Sequence, residues 1–203
     1  RSLLPKRYVK AAPDATRRMA KATYNPAASF VLDYVSLNSS LTNYIFKGDT
    51  TYYVTGPVLL YGTNTLEGGS VIKYMAGASA YLQVLGKLQC QTSAYREAVF
   101  TAKDDNTVGE TITGSTGNPT GSGYATFAIL YSNPSSSIEL EHVRISHATY
   151  GFYAPYANSQ KLTIRHAQFQ DVATAIAANY ATLDGDGLIR TSPGLAANAR
   201  LRV

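Results

Sequence analysis

Cysteine is almost missing from this chain: Cys90 is the only one among 203 residues. That excludes an internal disulfide framework and any cysteine-rich zinc site. Cys90 lies in the alternating run Lys87-Leu88-Gln89-Cys90, the pattern of an inert core thiol and not of a nucleophile. Tryptophan is absent, and charged residues make up only 15% of the chain, against about one quarter in ordinary globular proteins. No stretch approaches the ~20 apolar residues of a membrane helix. No basic-then-apolar leader opens the chain, and Arg1 stands where an initiator Met would be. Residue 1 therefore reads as a processing site or a cut boundary, with any export signal already removed.

What is present points to β-structure. Hydrophobic residues reach 45%, and Tyr outnumbers Phe by 16 to 6. Gly, Ser, Thr and Asn are plentiful, which favours short strands joined by many turns. The Tyr excess suggests rings on half-exposed surfaces, where a hydroxyl reaches water. The length suits one domain with a sizeable core. The net charge of +5 hides an asymmetry. Arg1, Lys6, Arg7, Lys10, Arg17, Arg18 and Lys21 face Asp14 alone in the first 21 residues, and Arg190, Arg200 and Arg202 close the chain without an acid. The body between is mildly acidic, with eight bases and twelve acids.

An internal repeat is the decisive feature. Residues 138–154 (IELEHVRISHATYGFYA) match 162–178 (LTIRHAQFQDVATAIAA) at an offset of 24. Ile138 meets Leu162, Leu140 meets Ile164, His142 meets His166, Ile145 meets Phe169 and Phe152 meets Ile176. Within each unit apolar residues alternate, shift phase near 141–142, and alternate again. Alternation is the period of a strand, and a phase shift without a break marks a tight corner. Three strands and three corners in ~24 residues make one coil of a three-sided solenoid. The fold class expected is therefore all-β, a parallel β-helix, right-handed because parallel crossovers are almost always so. Lack of disulfides is compatible with secretion, since a solenoid is held by its continuous core.

A weaker echo lies upstream. Val54-Thr55-Gly56-Pro57-Val58 resembles Val84-Leu85-Gly86-Lys87-Leu88 at an offset of 30, with an enlarged corner at Tyr61–Gly69 absorbing the extra length. Three regions are expected. Residues 1–50 form a basic arm and N-terminal cap, with a short helix over 13–21 and strands in 29–37 and 43–47. Residues 51–190 form the β-helix, interrupted at 106–123 by a Gly/Thr/Ser-rich loop read as plain and solvent-exposed. Residues 191–203 form a C-terminal tail with no apolar cap.

The runs Glu67-Gly68-Gly69-Ser70-Val71-Ile72-Lys73-Tyr74, Ala80–Gly86 and Val99-Phe100-Thr101-Ala102-Lys103-Asp104-Asp105 carry a family likeness. They resemble bacterial right-handed parallel β-helix repeat proteins of the pectate-lyase-like superfamily, found in large predicted surface and secreted proteins. The likeness covers roughly residues 50–185. It implies the fold and an extracellular or cell-surface location, and it leaves activity open, because the same coil carries lyases, hydrolases, adhesins and fibres.

No catalytic constellation assembles from the sequence. Related hydrolases use clustered aspartates with Gly-His-Gly and Arg-Ile-Lys elements. Here Arg144-Ile145 is followed by Ser146, and no His stands between glycines. Asp104 and Asp105 point to opposite faces if extended, so a turn-capping role ranks above catalysis. His142 and His166 should stack about 4.8 Å apart, a surface ladder before a metal site, though Glu139 or Glu141 stands near. Glu141 above Arg165 predicts an exposed ion pair. His147 aligns with Asp171, but no activated Ser accompanies them. Asp184-Gly185-Asp186-Gly187 reads as a turn, with Ca²⁺ as the lesser reading because the other ligands of a calcium loop are missing. No other cofactor is expected.

The function expected is a non-catalytic extracellular structural or adhesive module. Its basic ends (Arg1 to Lys21, and Arg190, Arg200, Arg202) would promote end-to-end self-assembly into a fibre. A lone Tyr8 among those bases argues against nucleic acid as partner. The alternative is a polysaccharide lyase or hydrolase, or a sugar-binding β-helix such as a phage or virus fibre. It would use Asp104, Asp105 and tyrosines along one face: Tyr150, Tyr153 and Tyr156, with Tyr52, Tyr53, Tyr61, Tyr74 and Tyr81. Partners are then other copies of the chain or a surface polysaccharide.

Overall fold

The computed structural model describes residues 33–77, 79–133, 135–156, 161–186, 189–190 and 195–202. The chain divides into residues 1–31 and 32–203, and the second unit is a parallel β-solenoid of about five turns. Every pairing between named strands is parallel, and no helix occurs among the described residues.

Each coil contributes one strand to each of three sides. The first coil holds β1 (Tyr34–Leu37), β2 (Leu41–Thr42) and β3 (Ile45–Phe46). The second holds β4 (Thr51–Val54), β5 (Pro57–Tyr61) and β6 (Thr63–Glu67), the third β7 (Val71–Tyr74), β8 (Ala80–Val84) and β9 (Lys87–Gln91). The fourth holds β10 (Ala98–Ala102), β11 (Ala125–Tyr131) and β12 (Ile138–Glu141), the fifth β13 (Val143–Ser146), β14 (Ala148–Ala154) and β15 (Lys161–Arg165). Then come β16 (Gln168–Gln170), the long β17 (Thr174–Asp186), β18 (Ile189–Arg190) and β19 (Leu195–Arg202). Side one runs β1-β4-β7-β10-β13-β16-β18, and side two contains β2-β5-β8-β11-β14-β17. Side three contains β3-β6-β9, then β12-β15 paired to the second half of β17.

The 24-residue match is the actual register. Ile138 pairs with Leu162, Leu140 with Ile164, Ile145 with Phe169 and Phe152 with Ile176. Inward residues stack into ladders, one of which is Tyr52, Ile72, Phe100, Ile145 and Phe169, all buried. Fully burying an aliphatic or aromatic side chain contributes roughly 1.5–3 kcal/mol, so each coil is stabilised mainly by its neighbours. Corners explain the phase shift. Asn43, Asp49, His142, His147, His166 and Asp171 all have φ between 48° and 58°. One left-handed residue turns the chain without a loop, and Asn, Asp and His tolerate that conformation better than most side chains.

Several expectations change. The upstream echo equated two different corners: Gly56 lies between sides one and two, Gly86 between sides two and three. The true partners are Val54 with Tyr74 and Val58 with Leu82, and the supposed enlarged corner contains β6. Coiling begins at Tyr34, inside the region expected to be a cap, because β1 to β3 pair with β4 to β6. Residues 195–202, expected as a tail, form β19 on β17. The Asp184–Gly187 turn is not formed at Asp184 and Asp186, which lie in the extended β17. Asp184 instead pairs with Lys161 at 2.9 Å.

The insertion is not a plain exposed loop. Residues 103–124 leave side one and fold back over its outer surface. Glu110 N–H donates to Thr51 Oγ1 at 2.8 Å, and the Tyr34 hydroxyl donates to Thr113 Oγ1 at 3.1 Å. Ile112 is buried. Lys73 is completely buried beneath the insertion, its Nζ donating to the carbonyls of Asp105 and Glu110 at 2.7 Å each. Loss of hydration lowers the Lys73 pKa, and the nearby Asp105 and Glu110 carboxylates partly oppose that shift. The basic arm (Arg1, Lys6, Arg7, Lys10, Arg17, Arg18, Lys21) and the helix expected at 13–21 lie outside the described residues, as do the side chains of Asp186, Arg190, Arg200 and Arg202.

Candidate functional site

Side two carries a strip of four touching aromatic rings on its outer surface. The parallel register places Tyr81 of β8 beside Phe127 of β11, and Phe127 beside Tyr150 of β14. Tyr153, also on β14, is the neighbour of Leu130. Tyr81 follows the alternation of β8, while breaks in alternation along β11 and β14 bring Phe127, Tyr150 and Tyr153 to the same outer face, and Leu82, Ile129 and Phe152 fill the core. The rings touch. Phe127 stacks on Tyr153 at 4.9 Å and 12°, and on Tyr150 at 5.5 Å and 30°. Tyr150 and Tyr153 stack at 5.0 Å, and Tyr81 meets Phe127 edge-on at 6.0 Å. All four are half-buried, so one edge or face of each reaches solvent. Coils repeat every ~4.8 Å, so the strip crosses three coils over roughly 10 Å.

The remaining tyrosines disperse. Tyr52 and Tyr74 point into the core, Tyr74 donating to the Ala128 carbonyl. Tyr53 meets Tyr34 edge-on at 6.0 Å on side one. Tyr61 and Tyr156 are exposed. Phe127 escaped the sequence reading, which considered only tyrosines. Its strand is also irregular: Ala125, Phe127 and Ile129 pair with the consecutive residues Ala80, Tyr81 and Leu82, and such bulges spoil alternation. The match of Phe127 with Tyr150 at a spacing of 23 was the available signal.

The insertion creates a polar cleft of about 320 Å³, lined by Asp105, Arg144, Ser146, His147, Gln170 and Asp171 among others. Asp105, Ser146 and His147 of this lining, and the adjacent Asp104, make structural hydrogen bonds. Asp104 lies in a turn, its Oδ1 accepting from Thr116 N–H at 2.7 Å and its Oδ2 from the Tyr124 hydroxyl at 2.7 Å. Asp105 accepts from Thr107 N–H and Oγ1, and from Thr101 Oγ1. Burial alone would raise both carboxyl pKa values. Hydrogen bonds outweigh it, from Thr116 and Tyr124 on Asp104 and from Thr107 and Thr101 on Asp105, and nearby lysines add to them, so both fall below the ordinary carboxylate value. An ionised, saturated carboxylate accepts hydrogen bonds and has no proton to give. Ser146 Oγ bonds to Thr101 and the Phe100 carbonyl, and His147 Nδ1 sits 2.9 Å from the Gly121 carbonyl. Ser146 and His147 thus each have other partners. They are not a nucleophile with its base.

His142 and His166 stack as the repeat requires, with centroids 4.8 Å apart and planes at 10°. Arg165, however, does not pair with Glu141. It reaches diagonally to Glu139 at 3.2 Å, while Glu141 turns toward His142 Nε2 at 3.7 Å. Cys90 lies beside a cleft where β9 and β12 face each other, and burial pushes its thiol up to about 11. It is protonated at neutral pH and a poor nucleophile.

Compared with protein-family models, curated proteins and solved structures, the chain matches none.

Proposed function

We propose that this chain is a non-catalytic, extracellular adhesive module that binds a polysaccharide along the outer face of side two. The observation that carries the reading is the contiguous strip of Tyr81, Phe127, Tyr150 and Tyr153. Half-buried rings in mutual contact at the surface offer an apolar platform, on which the C–H face of a sugar ring packs while its hydroxyls stay in water. A platform running across coils suits a long, repetitive ligand better than a compact one. The hydrogen-bonded Asp104 and Asp105, the acid pair closest to the pattern of the related hydrolases, favour binding over bond cleavage. The chain would belong among the right-handed parallel β-helix repeat proteins of bacterial surfaces, on the strength of its glycine-led Val71-Ile72-Lys73 strand. End-to-end assembly fits a solenoid whose β19 has no strand on its far edge among the described residues.

Affinity electrophoresis through gels containing polygalacturonate, alginate or xylan tests the proposal. At least one polymer should retard the native chain, and Tyr150→Ala with Tyr153→Ala should abolish retardation without changing the melting temperature by more than a few degrees. No retardation by any polymer, or retardation unchanged in the double variant, overturns it. Release of new reducing ends from the retarding polymer would instead favour the enzyme.

A further inference from the structure

Two successive coils bring histidine to the same corner, between sides three and one, where β12 passes to β13 and β15 to β16. At this same corner earlier coils turn with Asp49, between β3 and β4, and Gly69, between β6 and β7. The later coils use histidine twice in succession, His142 at φ 48° and His166 at φ 50°. Histidine tolerates this backbone but glycine and asparagine suit it better, so corner geometry alone does not select two imidazoles.

We propose that Glu141, His142 and His166 form a binding site for a borderline divalent transition-metal ion, of which Zn²⁺ and Ni²⁺ are the probes. Among the described residues these three offer one ligand atom each, all within 4.8 Å of one another. The set comes from adjacent coils, so the fold itself fixes the spacing. Imidazole and carboxylate together suit zinc, nickel or copper, whereas calcium and magnesium demand more oxygen ligands. Metal–ligand bonds of about 2.0–2.2 Å hold neighbouring donors roughly 3.4 Å apart around a tetrahedral ion. Glu141 Oε1 and His142 Nε2 are already 3.7 Å apart, and the widest pair must close by up to about 1.4 Å.

The rings must also turn. An imidazole lone pair lies in the ring plane, and two planes only 10° apart do not converge on one ion. His166 is exposed and Glu141 half-exposed, so both are free to swing, while His142 is held more tightly. Nearby charges do not block the site. Arg165 is engaged with Glu139, and Glu97 accepts from Gln168 at 3.2 Å. Three protein donors leave a position for water, which keeps the ion exchangeable.

Isothermal titration of the full chain, carrying no polyhistidine tag, with ZnCl₂ and then NiCl₂ tests this. One saturable site per chain is expected in the micromolar range. His142→Asn and His166→Asn keep a residue that tolerates the left-handed corner. Each should weaken binding at least tenfold while leaving the metal-free circular dichroism melt unchanged. His147→Asn should bind as the native chain does. In imidazole ¹⁵N correlation spectra, zinc should shift His142 and His166 and spare His147, as the stack opens. No saturable binding up to millimolar metal, equal affinity in the His142→Asn/His166→Asn chain, or equal loss in His147→Asn would each overturn the site.

Discussion

Gly56 and Gly86 occupy the same place in a shared five-residue pattern, yet the structure assigns them opposite tolerances. A Cβ on Gly86 would stand 2.0 Å from the Gly62 carbonyl oxygen, 2.6 Å from its nitrogen and 2.9 Å from its carbonyl carbon. Every one of those atoms is backbone of the coil beneath. Gly62 has nowhere to retreat, because Asn43 lies against it and the Lys87 N–H bonds to its carbonyl at 2.7 Å. Gly86→Ala must therefore part the two coils locally. Overpacking of this kind costs about 1–3 kcal/mol, and each backbone hydrogen bond lost adds about 1 kcal/mol. A total near 3 kcal/mol lowers the melting temperature by roughly 6–12 °C in a chain of this size. Gly56 has no atom within 4 Å of the same added carbon, and its φ is not left-handed. Gly56→Ala should be neutral, or stabilise by about 0.4–1 kcal/mol through the unfolded chain. Thermal and urea melts of the two variants measure the difference. If they agree within about 0.5 kcal/mol, the stacking of the third coil on the second at this corner is wrong.

Lys73→Met removes a buried ammonium and leaves the Asp105 and Glu110 carbonyls without their donor. A loss of about 2–4 kcal/mol is expected, with new protease cleavage inside residues 103–124 read by mass spectrometry. The carboxyls of Asp104 and Asp105 are held below their ordinary value in the fold. Their contribution is therefore fully present above pH ~4 and lost as pH falls through the depressed folded values. Asp104→Asn with Asp105→Asn should cost about 1–3 kcal/mol at pH 7 and flatten the acid limb of a stability–pH curve measured by urea unfolding. An unchanged acid limb would remove both residues from that role.

The fourth-to-fifth and fifth-to-sixth coils were legible because their strands keep a constant step. Ile138 and Leu162 are 24 residues apart, and so are Arg144 and Gln168. Earlier coils hide the same architecture behind changing lengths: Tyr34 pairs with Thr51, but Val71 pairs with Val99. A fixed period does not survive that, and two glycine corners on different sides then look alike. The landing place of the insertion was invisible for another reason. Lys73 reads as an outward, solvated strand residue until something covers it, and its cover comes from more than thirty residues downstream. Asp104 and Asp105 were correctly suspected of holding a turn, since short acids accept backbone N–H groups there. The aromatic strip was half legible: Tyr81, Tyr150 and Tyr153 were named, but the bulge concealed Phe127, the ring that joins them.

The strap over side one changes how this solenoid comes apart. A stack whose units touch only their neighbours unravels one unit at a time, like a zip. Here a single segment leaving the fourth coil is tied to the first through Tyr34, to the second through Thr51 and to the third through Lys73. Those four coils must let go together, and the fifth is held to them where the Gly121 and Ser122 carbonyls of the same segment meet His147 Nδ1 and Thr149 Oγ1, so peeling one unit at a time is left to the strands beyond β15. The solenoid is thus a tied block followed by a fraying end, and the aromatic strip of Tyr81, Phe127, Tyr150 and Tyr153 lies within the block.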